Sequence, residues 1–241
     1  MMPDPVDVLA IMAHPDDVEL TCGGTLAAEA ERGRRVGIVD LSRGETASRG
    51  TPELRAEEAT RAARILGVVH RENLGLPDAA IVDGPETRET LARVLRLLRP
   101  QVVITHATTG RHPDHVAAAQ LVRNAVFVAG LRNVAPDVPP HRPRKVLHCL
   151  TYREDAPKPT FVVDISHVLE RKLAAIACYE SQFGGLTQAG EVYPNGEPLA
   201  DIIRHQAAHY GAMIRCRYGE PFFTTETMRV DDVASLPVAT F

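Results

Sequence analysis

The chain has 241 residues, 44% of them hydrophobic, enough to fill one large core and too many for a disordered chain. Its formal net charge is -4, and the 27 basic residues, 24 of them arginine, are spread along the sequence and not gathered into a tract, so no nucleic-acid partner is expected. No run of about 18 apolar residues occurs and "MMPDPVD" lacks the basic-then-apolar pattern of a secretory signal, so the expectation is a cytoplasmic protein with no membrane span.

Strand and helix patterns alternate in chain order. "VDVLAIM" (6–12) and "VGIVDLS" (36–42) read as buried strands, separated by the alanine-rich helix "GGTLAAEAERGR". After the polar loop "RGETASRG", the segment "TPELRAEEATRAARILG" has a Thr N-cap, Pro at the first helical position and Gly67 as its stop. "HRENLGL" is a short strand, "ETRETLARVLRLLR" a helix, "QVVITH" (101–106) a strand and "HPDHVAAAQLVRNAVFVAG" a helix opened by His-Pro. "RKVLHCLTY" and "TFVVDIS" read as strands, and "HVLERKLAAIACYESQF" as one helix.

This alternation predicts an α/β fold: a Rossmann-like, doubly wound, mostly parallel sheet with helices on both faces and a smaller C-terminal lobe. Residues 1–183 form the expected core, and 184–241 supply a loop, helix and strand that complete the same domain. The Gly- and Pro-rich stretch 184–199 reads as a long loop, a lid or a subunit contact.

Two clusters carry chemistry, "HPDDVE" at 14–19 and "HPDH" at 112–115, each at the C-terminal end of a strand, where such folds place their sites. The four cysteines are scattered without a CxxC pair, so a metal has to use histidine and carboxylate. A hydrolytic zinc centre takes three protein ligands and leaves a position open. One His and one Asp of the first cluster and one His of the second meet that count. Pro113 makes His112 the expected N-cap and sets His115 one turn further on, so both imidazoles reach one cavity. Pro15 is expected to hold the first cluster extended, where neighbouring side chains point apart. Asp16 and Asp17 then divide two jobs, one on the metal with His14 and one as general base, and spacing leaves open which is which. The remaining histidines, His106 at a strand end among them, lack a partner at ligand spacing and receive no role.

"AHPDDVE" followed by "GGT", together with "RHPDH", resembles the signature of the PIG-L/LmbE-like zinc-dependent N-acetylglucosamine deacetylases. "NLGLPD" and "YESQF" look like the bacterial branch that contains the bacillithiol-pathway enzymes. The resemblance implies His14, Asp17 and His115 as metal ligands and Asp16 as general base. It implies His112 as the residue that steadies the oxyanion or protonates the leaving amine, with Asp114 orienting or charging it, and Glu19 as a supporting residue. For a carboxylate-bearing substrate it favours Arg55 of "GTPELR" as a clamp, then Arg111, with Ser48 a further contact; Arg43 and Arg49 lie in the same loop. The implied metal is Zn2+, with Fe2+ or Co2+ accepted by the same donors. The implied substrate is an N-acetylated amino sugar, specifically N-acetylglucosaminyl malate, and the implied assembly a homo-oligomer, often a hexamer.

Alternatives within the class are a thiol-conjugate amidase and a chitooligosaccharide deacetylase. Outside it stand a metal-binding regulator without catalysis, and a Rossmann-type nucleotide-binding protein using "CGGT" as a phosphate loop. The last lacks the full glycine fingerprint and places carboxylates where pyrophosphate would lie.

Overall fold

A computed structural model describes residues 3–150, 158–184 and 198–238. β1 (Val8–Met12) and β2 (Val36–Ser42) are buried along their whole length, as continuous apolar runs in a doubly covered sheet require. Alternate residues of β1 serve opposite cores: Leu9 and Ile11 on one face, Val8, Ala10 and Met12 on the other. Between the strands lie α1 (Asp17–Thr21) and α2 (Gly23–Glu31). α3 (Pro52–Leu66) begins where Thr51 Oγ1 accepts from the Leu54 N–H at 3.2 Å, and ends at Gly67, whose φ of 78° suits glycine.

The chain continues through β3 (His70–Leu76), α4 (Pro85–Leu98), β4 (Val102–Thr105), α5 (Pro113–Ala129), β5 (Lys145–Cys149) and β6 (Phe161–Asp164). It closes with α6 (Leu169–Ala177), α7 (Glu180–Phe183), α8 (Leu199–Met213) and β7 (Gly219–Phe223). The seven strands run in the order β3-β2-β1-β4-β5-β7-β6, and only β7 is antiparallel to its neighbours. α4 and α5 pack on the face that holds Leu9 and Ile11, and α2, α3 and α6 on the other. The strand order reverses direction between β1 and β4, which opens a crevice at their C-terminal ends. Among the described residues no helix is long and apolar enough to cross a membrane.

Two expectations about elements change. The segment 167–183 is two helices and not one: the chain breaks at Tyr179, which turns its hydroxyl onto Glu19 Oε1 at 3.1 Å. Residues 17–21 form a short helix of their own where the first cluster was expected to run extended. Most of the 184–199 loop and the end of "RKVLHCLTY" lie outside the described residues.

The C-terminal strand explains "GGT". Glu220 on β7 reaches the first turn of α2, where Oε1 accepts from the Gly24 N–H at 2.9 Å and Oε2 from the Thr25 N–H at 2.6 Å. Lys172 Nζ donates to the same carboxylate at 2.6 Å, and both side chains are buried. A Cβ on Gly24 would lie 2.9 Å from Glu220 Oε1 and equally close to Ile165 Cδ1, so the approach requires glycine. The anion site that a nucleotide phosphate needs at this helix N-terminus is thus filled by the protein's own carboxylate, which removes the phosphate-loop reading of "CGGT".

Candidate active site

The crevice gathers side chains from the turns that follow β1, β3 and β4 and from α1, α3 and the start of α5. Its centre is the buried Asp17 carboxylate in the first turn of α1, with imidazole nitrogens on three sides: His14 Nδ1 at 3.2 Å, His115 Nε2 at 3.2 Å and His106 Nε2 at 3.3 Å. The rings of His106, His115 and His112 form a stack with centroid spacings of 4.0 and 4.5 Å, and His14 stands edge-on to His112 at 4.8 Å. Donor atoms of His14, Asp17 and His115 all lie within 4.8 Å of one another. A tetrahedral ion with bonds of about 2.0–2.1 Å separates its ligands by about 3.3 Å, close to the spacings between Asp17 and the two histidines.

Electrostatics also ask for a cation. Burial alone would lower the His14 pKa, but the Asp17 hydrogen bond and the charges of Asp17, Asp16 and Asp78 outweigh it and raise it to about 9. Burial opposes ionisation of Asp17, yet the charges of His115 and His106 and the His115 hydrogen bond hold its carboxyl well below the usual range. Imidazole and carboxylate donors in this field fit a divalent ion such as zinc. A second convergent set, His14, His112 and Asp114, uses the other side of the His14 ring and an exposed histidine. Its carboxylate already accepts from the Ala79 N–H at 2.7 Å and the Ile81 N–H at 3.3 Å, so the Asp17 set is the better cradle.

Asp16 and Asp17 diverge, but the backbone reason differs from the expected extended segment. Asp16 sits at φ 117°, ψ −26°, a region costly for any residue but glycine, and Asp17 begins α1 immediately after it. That kink turns Asp17 to the histidines and Asp16 to α3, where Arg55 Nη2 donates to Asp16 Oδ2 at 2.6 Å and Arg55 Nε to the Pro15 carbonyl at 3.0 Å. Burial raises the Asp16 carboxyl against the opposing charge of Arg55, with Asp17 adding to the rise, to about 6. Such a carboxylate is a base near neutral pH and becomes an acid once it has taken a proton.

His112 is the N-cap of α5, and its Nδ1 accepts from the Asp114 N–H at 3.2 Å. That bond leaves the ring proton on Nε2. Burial and the charges of His115 and His14 lower the His112 pKa, so the neutral form prevails at pH 7. Asp114 contacts His112 through its backbone N–H, while its carboxylate pins the 79–81 backbone and lies 3.4 Å from His14 Nε2.

The expected substrate contacts lie in different settings. Arg55 is buried with Nε and Nη2 of its fork directed at Pro15 and Asp16, so its nearest charged partner is the Asp16 carboxylate beside the centre. Arg111 and Ser48 are exposed in loops, and Arg49 donates to the carbonyls of Gln182 and Gly184. Glu19 is fully buried on Arg71, Nη1 to Oε1 at 2.6 Å, a supporting position outside both convergent sets. Local spacing missed two residues: His106, whose only signal was its place at a strand end, and Asp78 of "NLGLPD", whose Oδ1 lies 3.0 Å from His14 Nε2.

Fold and site together define a hydrolase-type centre, in which a cradle for a divalent ion adjoins a second buried carboxylate at the switch point of a parallel sheet. The family model described as "PIG-L: GlcNAc-PI de-N-acetylase" matches residues 9–126. The diacetylchitobiose deacetylase of Thermococcus kodakarensis is 33% identical over 228 residues, 88% of this chain and 80% of that one. The conserved protein TT1542 from Thermus thermophilus superposes with a TM-score of 0.83 at 39% identity, covering 94% of this chain and 98% of its own. GalB, the 4-carboxy-2-hydroxymuconate hydratase from Pseudomonas putida, shares the fold at a TM-score of 0.76 and 23% identity, covering 96% and 100%. The chain belongs to the PIG-L family, whose deacetylases are metal-dependent hydrolytic enzymes.

Proposed function

We propose that this protein is a zinc-dependent N-deacetylase that converts the acetamide of an N-acetylglucosamine glycoside to a free amine and acetate. The observation that carries the reading is the pairing of the His14, Asp17 and His115 cradle with Asp16, a base held by Arg55 beside it. Bound there, zinc supplies a Lewis acid that polarises the acetyl carbonyl and acidifies water.

The chain's own residues supply the remaining steps. Asp16 takes the proton of the attacking water; with its carboxyl raised to about 6, it can then pass that proton to the departing amine. His112 donates its Nε2–H to the oxyanion as a neutral imidazole. Arg55 orients Asp16 and keeps it ionised until the water is in place. A regulator that only bound metal would have no need of a buried base supported by its own arginine.

N-acetylglucosaminyl malate, the finer substrate reading, rests on the resemblance to the bacillithiol branch and needs an exposed cation for the malate; Arg43 and Arg111 are exposed. The homo-oligomer, a hexamer in that branch, belongs to the same reading and is measured by light scattering. Acetate release from N-acetylglucosaminyl malate, diacetylchitobiose and N-acetylglucosaminyl inositol tests both levels. Turnover of the malate conjugate at least tenfold above the other two supports the finer reading, and preference for diacetylchitobiose replaces it with a chitooligosaccharide deacetylase. Zinc uptake with no acetate from any of the three returns the site to a metal-binding regulator.

A further inference from the structure

A cavity of about 250 Å³ opens beside the crevice, between α3 and the ends of β2 and β3. Pro15, Pro52, Ala56 and Ala59 supply its apolar lining. The volume falls below the range of about 300–1,000 Å³ that holds a drug-sized ligand, so it suits a group of a few carbons. Pro15 lies between His14 and Asp16, which puts the cavity one residue away from the candidate metal centre.

Four charged side chains line the cavity, and the two acids among them are already matched. Asp40 takes Arg71 with both oxygens: Oδ2 accepts from Nε at 2.8 Å and Oδ1 from Nη2 at 3.0 Å. Glu72 Oε1 shares a hydrogen bond with His70 Nε2 at 3.1 Å. Arg43 is exposed and, among the described residues, has no hydrogen bond or ion pair. Its guanidinium passes Gly75, where a Cβ would lie 3.5 Å from Nη2 in ordinary contact.

Arg71 keeps one donor in reserve. A guanidinium carries five N–H groups. Two go to Asp40, and those of Nη1 go to Glu19 Oε1 at 2.6 Å and the Ala59 carbonyl at 3.2 Å. The second N–H of Nη2 is left without an acceptor among the described residues, on a side chain only 9% exposed. A donor that deep binds an anionic acceptor more strongly than one in water does. The unmet demand of the cavity is therefore positive at its exposed and its buried end, with an apolar wall between.

We propose that this cavity binds a carboxylate carried on a short aliphatic body, with Arg43 as its fork and the spare Nη2–H of Arg71 as a second donor. The carboxylate belongs either to the acidic aglycone of a glycoside held at the metal centre or to a free carboxylic acid. The first source rests on the deacetylase reading above and makes Arg43 a specificity-determining residue; the second stands without that reading.

Two measurements on full-length, zinc-loaded wild type, Arg43→Gln and Ala56→Leu test the site and separate the sources. Ala56→Leu fills the cavity from α3 with another good helix former and leaves both arginines in place. The first measurement sets KM for N-acetylglucosaminyl malate against KM for diacetylchitobiose. If the cavity holds the aglycone, each variant raises the first KM about tenfold or more beyond any change in the second, as loss of a charged hydrogen bond requires. The second is a titration with malate, read from the NMR signals of the Arg43 and Arg71 Nε–H groups and the 56–60 amides; malate on zinc moves the signals of 14–17 instead. If the cavity holds a free acid, its signals saturate in wild type, the affinity falls about tenfold or more in both variants, and the KM ratio stays in place. KM ratios that match wild type in both variants, together with cavity signals that ignore malate, overturn the proposal. Wild type that releases acetate from neither glycoside overturns the deacetylase reading and the aglycone source, and the malate titration then decides the site by itself.

Discussion

Asp16 and Arg55, 39 residues apart in sequence, meet at 2.6 Å inside the protein, and the contact joins the carboxylate that follows the first strand to the start of α3. Burial raises the carboxyl and the guanidinium restrains the rise. As the proposed base, Asp16 has to be ionised to act, so kcat/KM is expected to fall as pH falls through its pKa, with an acid limb at or below about 6 in the zinc-loaded enzyme. Replacing Arg55 with Gln removes the opposing charge and shifts that limb upward by about 1 unit. Arg55→Lys, which keeps the charge but loses the fork, leaves the limb near its place and lowers kcat. A pH–rate profile of the three proteins reads both effects.

His112 distinguishes oxyanion stabilisation from proton donation by an imidazolium. Its Nδ1 is occupied as an acceptor, and burial and neighbouring charge favour the neutral ring. Activity is therefore expected to hold steady from pH 7 to 9 with no alkaline limb from His112. His112→Ala lowers kcat by about 10²- to 10³-fold with zinc stoichiometry intact. Loss of zinc along with activity would place His112 among the ligands.

Metal removal has a proton signature. In the metal-free protein His14 is held at about 9 by its acidic surroundings, so at pH 7 it carries a proton that zinc must displace. Calorimetric zinc titration at pH 7 in buffers of different ionisation enthalpy is expected to show release of about one proton or more. In the metal-free protein the raised pKa also stabilises the fold. That contribution is complete below the unfolded value of about 6.5 and is lost as pH rises through about 9. Chelated protein should lose stability across that window in a denaturant series.

Glu220 ties β7 to the first turn of α2, away from the crevice. Glu220→Ala strands the buried Lys172 ammonium and two backbone N–H groups, and a loss of about 3–5 kcal/mol in unfolding free energy is expected. Glu220→Leu combined with Lys172→Met removes both charges and recovers much of the loss, measured by urea denaturation.

Much of the frame was legible because it rests on local rules. Continuous apolar runs gave β1 and β2, the Thr51 and Gly67 caps bounded α3, and Pro113 set His112 at a helix start. Contacts made across the mouths of parallel strands left no local trace. The His106 ring accepts from the Ala13 N–H 93 residues away, and Asp78 reaches Thr46 and His14 from the far end of β3. The division between Asp16 and Asp17 was legible as a division, but its cause, a positive φ stabilised by tertiary contacts, is invisible to periodicity. Helical periodicity also runs through Tyr179, where the buried Glu19 and Arg71 pair draws the tyrosine hydroxyl inward and the helix ends.

The most direct test of the central claim is acetate release by zinc-loaded wild type and Asp16→Asn, assayed side by side on the N-acetylglucosamine glycosides with zinc content measured in each. The account predicts equimolar acetate and free amine from wild type. It predicts a loss of about 10²- to 10⁴-fold in Asp16→Asn with zinc fully retained. An Asp16→Asn protein that holds its zinc and deacetylates at the wild-type rate would contradict it.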